Sequence, residues 1–224
     1  MSIEYHSNIA ESFLINYRSK PQFKERLNLV CDTVKKYVRP ESYILDFGCG
    51  PGVIANTLAQ LGYRVDGIDG SPDMIAIACR NKEEKTAFRV EHIPFALVEP
   101  IKEYDAIVSS SVLEYLTEIE VVFTLLGNLI KHNGLLIITI QNNSSLYRTL
   151  EKWAFFFLKK PAYLKHIHFK PTIEELSLHL KMMGFSLKEV KYFGKKSWFF
   201  RKLGFIFPET RRNTMVLCVF EKNL

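Results

Sequence analysis

The sequence predicts an α/β fold, a mostly parallel sheet with helices on both faces. Two observations carry the prediction. Apolar runs of strand length alternate with amphipathic segments of helix length along most of the chain. The first apolar run ends in an acid and a glycine-rich turn, "DFGCGPG", and a helical pattern begins at once. At 224 residues the chain is long enough to bury a sizeable core, and one domain is the default.

Taken in order, residues 8–38 read as helix, with Phe23, Leu27, Val30, Val34 and Tyr37 at helical spacing. "SYILDF" (42–47) is a buried strand closed by glycine. "VIANTLAQLG" is a helix stopped at Gly62. "YRVDGID" is a second strand. Ser71 as N-cap and Pro72 at the first helical position start the next helix. "TAFRVEHI" and "YDAIVSSS" are the third and fourth strands. "EIEVVFTLLGNLIKHNG" is a helix closed by Asn133-Gly134, and "LLIITIQN" is the fifth strand. Residues 142–170 break the rhythm with a polar cluster and an aromatic helix. "PTIEELSLHLKMMGF" is a helix with Thr172 and Glu175 spaced as a capping box. "SLKEVKYFG" and "TMVLCVFEK" complete seven strands. Sheets of this kind bind ligands beyond the carboxyl ends of their strands.

Composition narrows the class. With 47% hydrophobic and 24% charged residues the chain is ordinary globular material. No apolar run reaches about 18 residues, so no membrane span is expected, and "MSIEYHSNIAESF" lacks a signal pattern. Cys31, Cys49, Cys79 and Cys218 show no CxxC spacing. Reduced thiols, a cytoplasmic setting and no metal site are expected. The net charge of +6 is uneven: residues 1–140 balance at −4 and residues 141–224 at +10. A basic half suits an anionic partner, or is a solvated face.

After strand one, Gly48, Gly50 and Gly52 alternate behind Asp46. Glycine there turns the backbone sharply and lets a ligand approach. The dinucleotide fingerprint requires glycine where Val53 stands, and no Walker lysine follows. Asp69 ends strand two, where a carboxylate can accept two hydrogen bonds from a ribose diol. Asp66 is the competing acid in the same strand.

"ILDFGCGPG", "GIDGSPDMI", "YDAIVSSSVLEYL" and "GLLIITIQN" follow one another in an order and spacing that resembles class I S-adenosylmethionine-dependent methyltransferases, over roughly residues 20–140. The resemblance implies a Rossmann-like, doubly wound seven-stranded sheet with an antiparallel last strand. It implies S-adenosylmethionine as cofactor and S-adenosylhomocysteine as product. Gly48, Gly50 and Gly52 would wrap the methionine part with Asp46 nearby, and Asp69 would hold the ribose hydroxyls. Gly70, Ser71 and Met74 would line the adenosine side. Glu91, followed by His92 and Ile93, is the nearest match to an acid that meets the adenine amine. Ser109, Ser110 and Ser111 would sit under the sulfonium and the acceptor entrance, and Glu114-Tyr115 replaces a frequent Glu-His pair. The N-terminal helices (1–40) would form a lid. Its Tyr17 and Arg26 would face the cofactor carboxylate or else a solvated helix face.

Methyl transfer from a sulfonium needs alignment and, for a hydroxyl acceptor, removal of a proton. "LKHIHFKP" places His166 and His168 on the acceptor side, His166 ranking first because His-x-x-Phe precedes the equivalent helix in relatives. Both could equally orient the lid. The Asn/Asp-Pro-Pro-aromatic element of nucleic-acid amino methylators is replaced by Ser-Ser-Ser-Val, so nucleic acid is disfavoured as a partner. Leu146, Leu150, Trp153 and Phe157 recur at helical spacing beside Tyr147, with Arg148, Lys152, Lys159 and Lys160 around them. "KKSWFFRKLGFIF" is a second basic aromatic stretch, and the segments 142–170 and 195–212 would cap the acceptor. Core packing, a lipophilic pocket with lysines near an anionic group, and docking on an anionic membrane are three readings; core plus pocket is preferred, and an acidic carrier protein also suits the charge. Tyr115, Tyr147, Trp153 and Ser111 are the acceptor-side candidates. The expected function is methylation of a small hydrophobic or aromatic acceptor, most simply at oxygen. N- or C-methylation, a non-catalytic cofactor-binding scaffold and a nicotinamide oxidoreductase are the alternatives.

Overall fold

The computed structural model describes residues 2–91, 103–158, 162–194 and 207–223. The chain runs α1 (Ser2–Asn8), α2 (Ala10–Ser19), α3 (Pro21–Tyr37), β1 (Tyr43–Phe47), α4 (Val53–Gln60), β2 (Arg64–Asp69), α5 (Pro72–Arg80), β3 (Thr86–Val90) and β4 (Tyr104–Ser110). After a 3₁₀ turn (Leu113–Tyr115) come α6 (Ile119–Leu129), β5 (Ile130–Gln141) and α7 (Leu146–Leu158). A second 3₁₀ turn (Ala162–His166) leads to α8 (Ile173–Met182), β6 (Phe185–Phe193), α9 (Glu209–Arg212) and β7 (Met215–Lys222).

The seven strands form one sheet in the order β3-β2-β1-β4-β5-β7-β6. β1 to β5 pair in parallel, and β7 runs antiparallel to both β5 and β6. This is the Rossmann-like sheet of the expectation. The order reverses between β1 and β4, so the crevice lies over their carboxyl ends. Alternation along β1 sends Leu45 and Phe47 into a core shared with α6 and α8. Ile44 points the other way, into a core shared with α3 and α4. Each fully buried side chain of this kind contributes about 1.5–3 kcal/mol.

Four expectations are corrected. The single helix over 8–38 is two helices, α2 and α3, and α1 ends at Asn8 before them. Ile9 leaves the helical region, and Lys20 is extended because a residue before proline is driven out of the α conformation. The third strand stops at Val90. The helix expected to close at Asn133-Gly134 ends at Leu129, because Ile130 already pairs with Tyr104. Residues 131–134 bulge, and the register resumes at Ala106 with Leu135. Gly134 is required there: a Cβ would lie 2.7 Å from Ile130 Cγ1 and 2.8 Å from the Lys131 carbonyl.

The fourth correction concerns α7. The stripe expected to pack in the core or pocket faces outward: Leu150, Trp153 and Phe157 are 61%, 62% and 69% exposed. Arg148 and Glu151 point inward instead. Buried Arg148 pairs with buried Glu151 at 2.5 Å, and donates to the Tyr163 hydroxyl (2.6 Å) and the Thr214 carbonyl (3.3 Å). The second aromatic stretch, residues 195–206, lies outside the described residues. Among the described residues no helix is long and apolar enough to cross a membrane.

Candidate functional site

A cavity of about 750 Å³ opens at the carboxyl ends of the parallel strands. At one end the chain turns from β1 to α4. The N–H groups of Gly48 and Cys49 donate to the Ile68 carbonyl (2.8 and 2.9 Å), which ties the loop to β2. Gly50 takes φ +53° and borders the cavity; a Cβ there would meet only Met74 Sδ, at 3.9 Å. The space beyond it is available to a ligand.

Asp69 is fixed at the edge of this space. Its two oxygens accept from the Gly50 N–H (2.9 Å) and the Ser71 N–H (2.8 Å). A carboxylate retains acceptor capacity after two such bonds, so Asp69 can still receive hydroxyls. Burial raises its pKa, and the two N–H donors oppose that shift. Ser71 caps α5 by accepting from Met74 N–H (3.3 Å), and its hydroxyl meets Ser7 of α1 at 2.8 Å. Gly48, Gly70 and Met74 also border the cavity.

Other candidates stand behind this wall. Gly52 caps α4 in the left-handed region and packs against Ala78 and Phe88, away from the cavity. Asp46 is buried below the loop. Desolvation pushes its carboxyl up to about 7, opposed by the Ala55 N–H, and one of its oxygens has no partner. Tyr17 is buried between Phe13 and Phe23 and bonds Arg26. Arg26 itself borders the cavity, and its buried Nε has no partner. That leaves a donor available for a carboxylate. Glu91 pairs with Arg89 (3.0 Å) away from the cavity, and His92 and Ile93 lie outside the described residues.

The far end is built from β4, β5 and the segments that follow them. Ser110 and Ser111 border the cavity, whereas Ser109 is fully buried behind it. Ser111 holds φ +58°, a left-handed conformation uncommon outside glycine, and its buried hydroxyl has no partner. Tyr115 borders the cavity, its hydroxyl pKa raised by burial and then by the Glu114 charge. Glu114 is a buried organiser. Its carboxylate accepts from the Gln141 N–H (2.9 Å), and its carbonyl accepts from the N–H groups of His168 (2.8 Å) and Phe169 (3.2 Å).

The two histidines are placed differently. His168 borders the cavity. His166, the last residue of the second 3₁₀ turn, stacks on Tyr5 of α1 (centroids 4.7 Å apart) and lies off the lining. Tyr147 is half-buried and outside the lining, and Trp153 stacks on Phe157 at the surface. The cavity also recruits Tyr5, His6 and Phe13 from the N-terminal helices, and Arg148, Tyr163 and Met215 from distant segments. Nothing local in the sequence marks these residues; only the tertiary fold gathers them.

A family model described as a methyltransferase domain matches residues 23–190. A ubiquinone biosynthesis O-methyltransferase of Methylocella silvestris is 35% identical over 115 residues, which is 50% of this chain and 43% of that protein. The chain thus spans less than half the length of that relative. Two solved structures share the fold. One, from Thermotoga maritima and described as a possible histamine N-methyltransferase, has a TM-score of 0.72 at 15% identity, with both chains covered in full. The other is the magnesium protoporphyrin IX methyltransferase of Synechocystis PCC 6803 with bound S-adenosylhomocysteine. It has a TM-score of 0.67 at 18% identity, with 89% of this chain and 83% of that one covered. The sheet order, the glycine loop with Asp69 and the match across three-quarters of the chain agree: this protein belongs to the methyltransferase-domain family, whose cofactor is S-adenosylmethionine.

Proposed function

We propose that the chain transfers a methyl group from S-adenosylmethionine to a hydroxyl oxygen of a small hydrophobic or aromatic acceptor, such as a phenol or quinone precursor. One observation carries the reading: a single cavity joins the Gly50–Asp69 end to the His168–Tyr115 end. The curated relative that acts in ubiquinone biosynthesis supports an oxygen acceptor. The acceptor-side walls include Val112, Leu116, Val122, Phe193 and Met215, which suit an apolar ring.

When bound, the cofactor supplies an activated methyl group on a sulfonium. The chain supplies position and proton handling. Asp69 would hold the ribose hydroxyls, Met74 and Gly70 would border the adenosine, and the Arg26 Nε–H, which has no protein partner, would donate to the tail carboxylate. His168 takes the proton from the acceptor hydroxyl as the oxygen–methyl bond forms, and Glu114 holds the His168 backbone in place. The N-terminal helices contribute Tyr5, Phe13 and Phe23 to the wall, where they would help keep water from the reacting atoms.

The test is turnover of a panel of phenols and hydroquinones by the wild type, His168→Gln and His166→Ala. His168→Gln should lower kcat by about 10²–10⁴-fold while S-adenosylhomocysteine affinity is kept. His166→Ala should keep kcat within about threefold, since its ring faces α1. Equal turnover by His168→Gln and the wild type overturns the proton-acceptor role, and no product from any hydroxyl acceptor overturns O-methylation.

A further inference from the structure

α7 is an amphipathic helix turned inside out. Its inward face is the Arg148–Glu151 ion pair, and its outward face is Leu150, Trp153 and Phe157 on successive turns, widened by exposed Phe156 and Leu158. A helix normally shows water its charges and the core its apolar stripe. Here the only acid of the helix is spent on the buried pair. Exposed basic side chains stand on the helix and beside it. Lys152 and Lys170 are exposed beside a hollow under the helix, and exposed Arg211 holds the Ser144 carbonyl (3.4 Å) next to its N-terminus. Glu209, the acid nearest to Arg211 in the chain, faces Arg212 at 3.8 Å. Two further lysines, Lys159 and Lys160, follow the helix directly in the sequence.

We infer that the outward face of α7 docks on an anionic lipid bilayer, with the helix lying in the headgroup plane. An aromatic stripe with cations beside it is the chemistry of interfacial helices, where tryptophan and phenylalanine enter the acyl boundary and lysines meet lipid phosphates. Charge decides between the occupants. A second copy seated face to face would bring the same basic side chains against themselves, with no acid on either stripe to offset them. An anionic bilayer matches both the stripe and the cations beside it. The helix has 13 residues, too few to cross a bilayer, so the protein rests on the surface. Arg148, on the inward side of the same helix, borders the cavity, so docking sets the site beside the lipid. The inference does not depend on which acceptor is methylated.

Flotation of the full chain with vesicles tests it. Mixed phosphatidylglycerol–phosphatidylcholine vesicles should carry the protein, and pure phosphatidylcholine vesicles should carry about tenfold less. Salt should weaken the anionic binding. The double variant Trp153→Ser, Phe157→Ser should bind anionic vesicles at least about tenfold less while S-adenosylhomocysteine affinity stays unchanged, since neither residue borders the cavity. Trp153 also reports directly. In a Trp198→Phe background its emission should shift to the blue on anionic vesicles. Absence of wild-type flotation, flotation unaffected by the double variant, or unshifted emission overturns the proposal. So does lipid-free self-association that the double variant abolishes, which would assign the face to a second copy.

Discussion

Asp46 and Asp69 stand at the ends of neighbouring strands and meet burial differently. Asp69 has two backbone N–H donors, whereas one Asp46 oxygen has none. The Asp46 carboxyl is therefore raised from 3.8 to about 7. Its folded value exceeds its unfolded one, so the native state holds a proton that the unfolded chain releases between about pH 4 and pH 7. The stabilisation is complete below about pH 4 and is lost as pH rises through 7. Asp46→Asn should remove this slope and leave the protein more stable than the wild type at pH 8, by up to about 4 kcal/mol. Urea unfolding at stepped pH measures it, and an unchanged slope contradicts it. At this scale the sequence was readable wherever a residue acts through its local backbone. Gly50 sits in the β1–α4 turn and Asp69 and Ser71 in the β2–α5 turn, each at a strand-to-helix junction that the local pattern marks. His166 and His168 were not separable, because which ring meets the cavity depends on Tyr5 and Glu114, residues 161 and 54 positions from their partners.

Elements were legible where caps are written into the chain and illegible where tertiary pairing overrode them. The α8 box is complete: Thr172 Oγ1 accepts from the Glu175 N–H (3.1 Å), and Glu175 accepts from the Thr172 N–H (2.8 Å). Thr172→Ala should cost about 1 kcal/mol and lower Tm by about 2–4 °C, read by thermal unfolding. An unchanged Tm would mean that Leu176 and Leu180 in the core hold the helix without its cap. At the end of α6 the Asn-Gly stop signal was real, but Ile130 had already joined β4 three residues earlier. Periodicity found the α7 stripe and could not tell which way it faces. A stripe read as core is the default, and the buried bonds of Arg148 to Glu151, Tyr163 and Thr214 hold the opposite face inward.

For the whole molecule, cofactor binding and folding are one equilibrium. The cavity draws on α1, the carboxyl ends of the parallel strands and the segments after β5. S-adenosylhomocysteine at about one hundred times its Kd should add about 2.7 kcal/mol and raise Tm by about 5–10 °C. Asp69→Ala should abolish the shift and NADH should give none; a shift with NADH alone would reopen the nicotinamide reading. The mostly parallel sheet was readable from the alternation of strand-length and helix-length segments, but the strand order was not. The gathering of cavity residues from both ends of the chain was not, since no local pattern encodes it. The placement of β7 between β5 and β6 also has a consequence in time. A ribosome delivers β5, then β6, and β6 has no neighbour among the described strands until β7 emerges more than twenty residues later. Through that interval β5 offers an open, largely apolar edge over Leu135–Ile140, a template for foreign strands until the slot is filled.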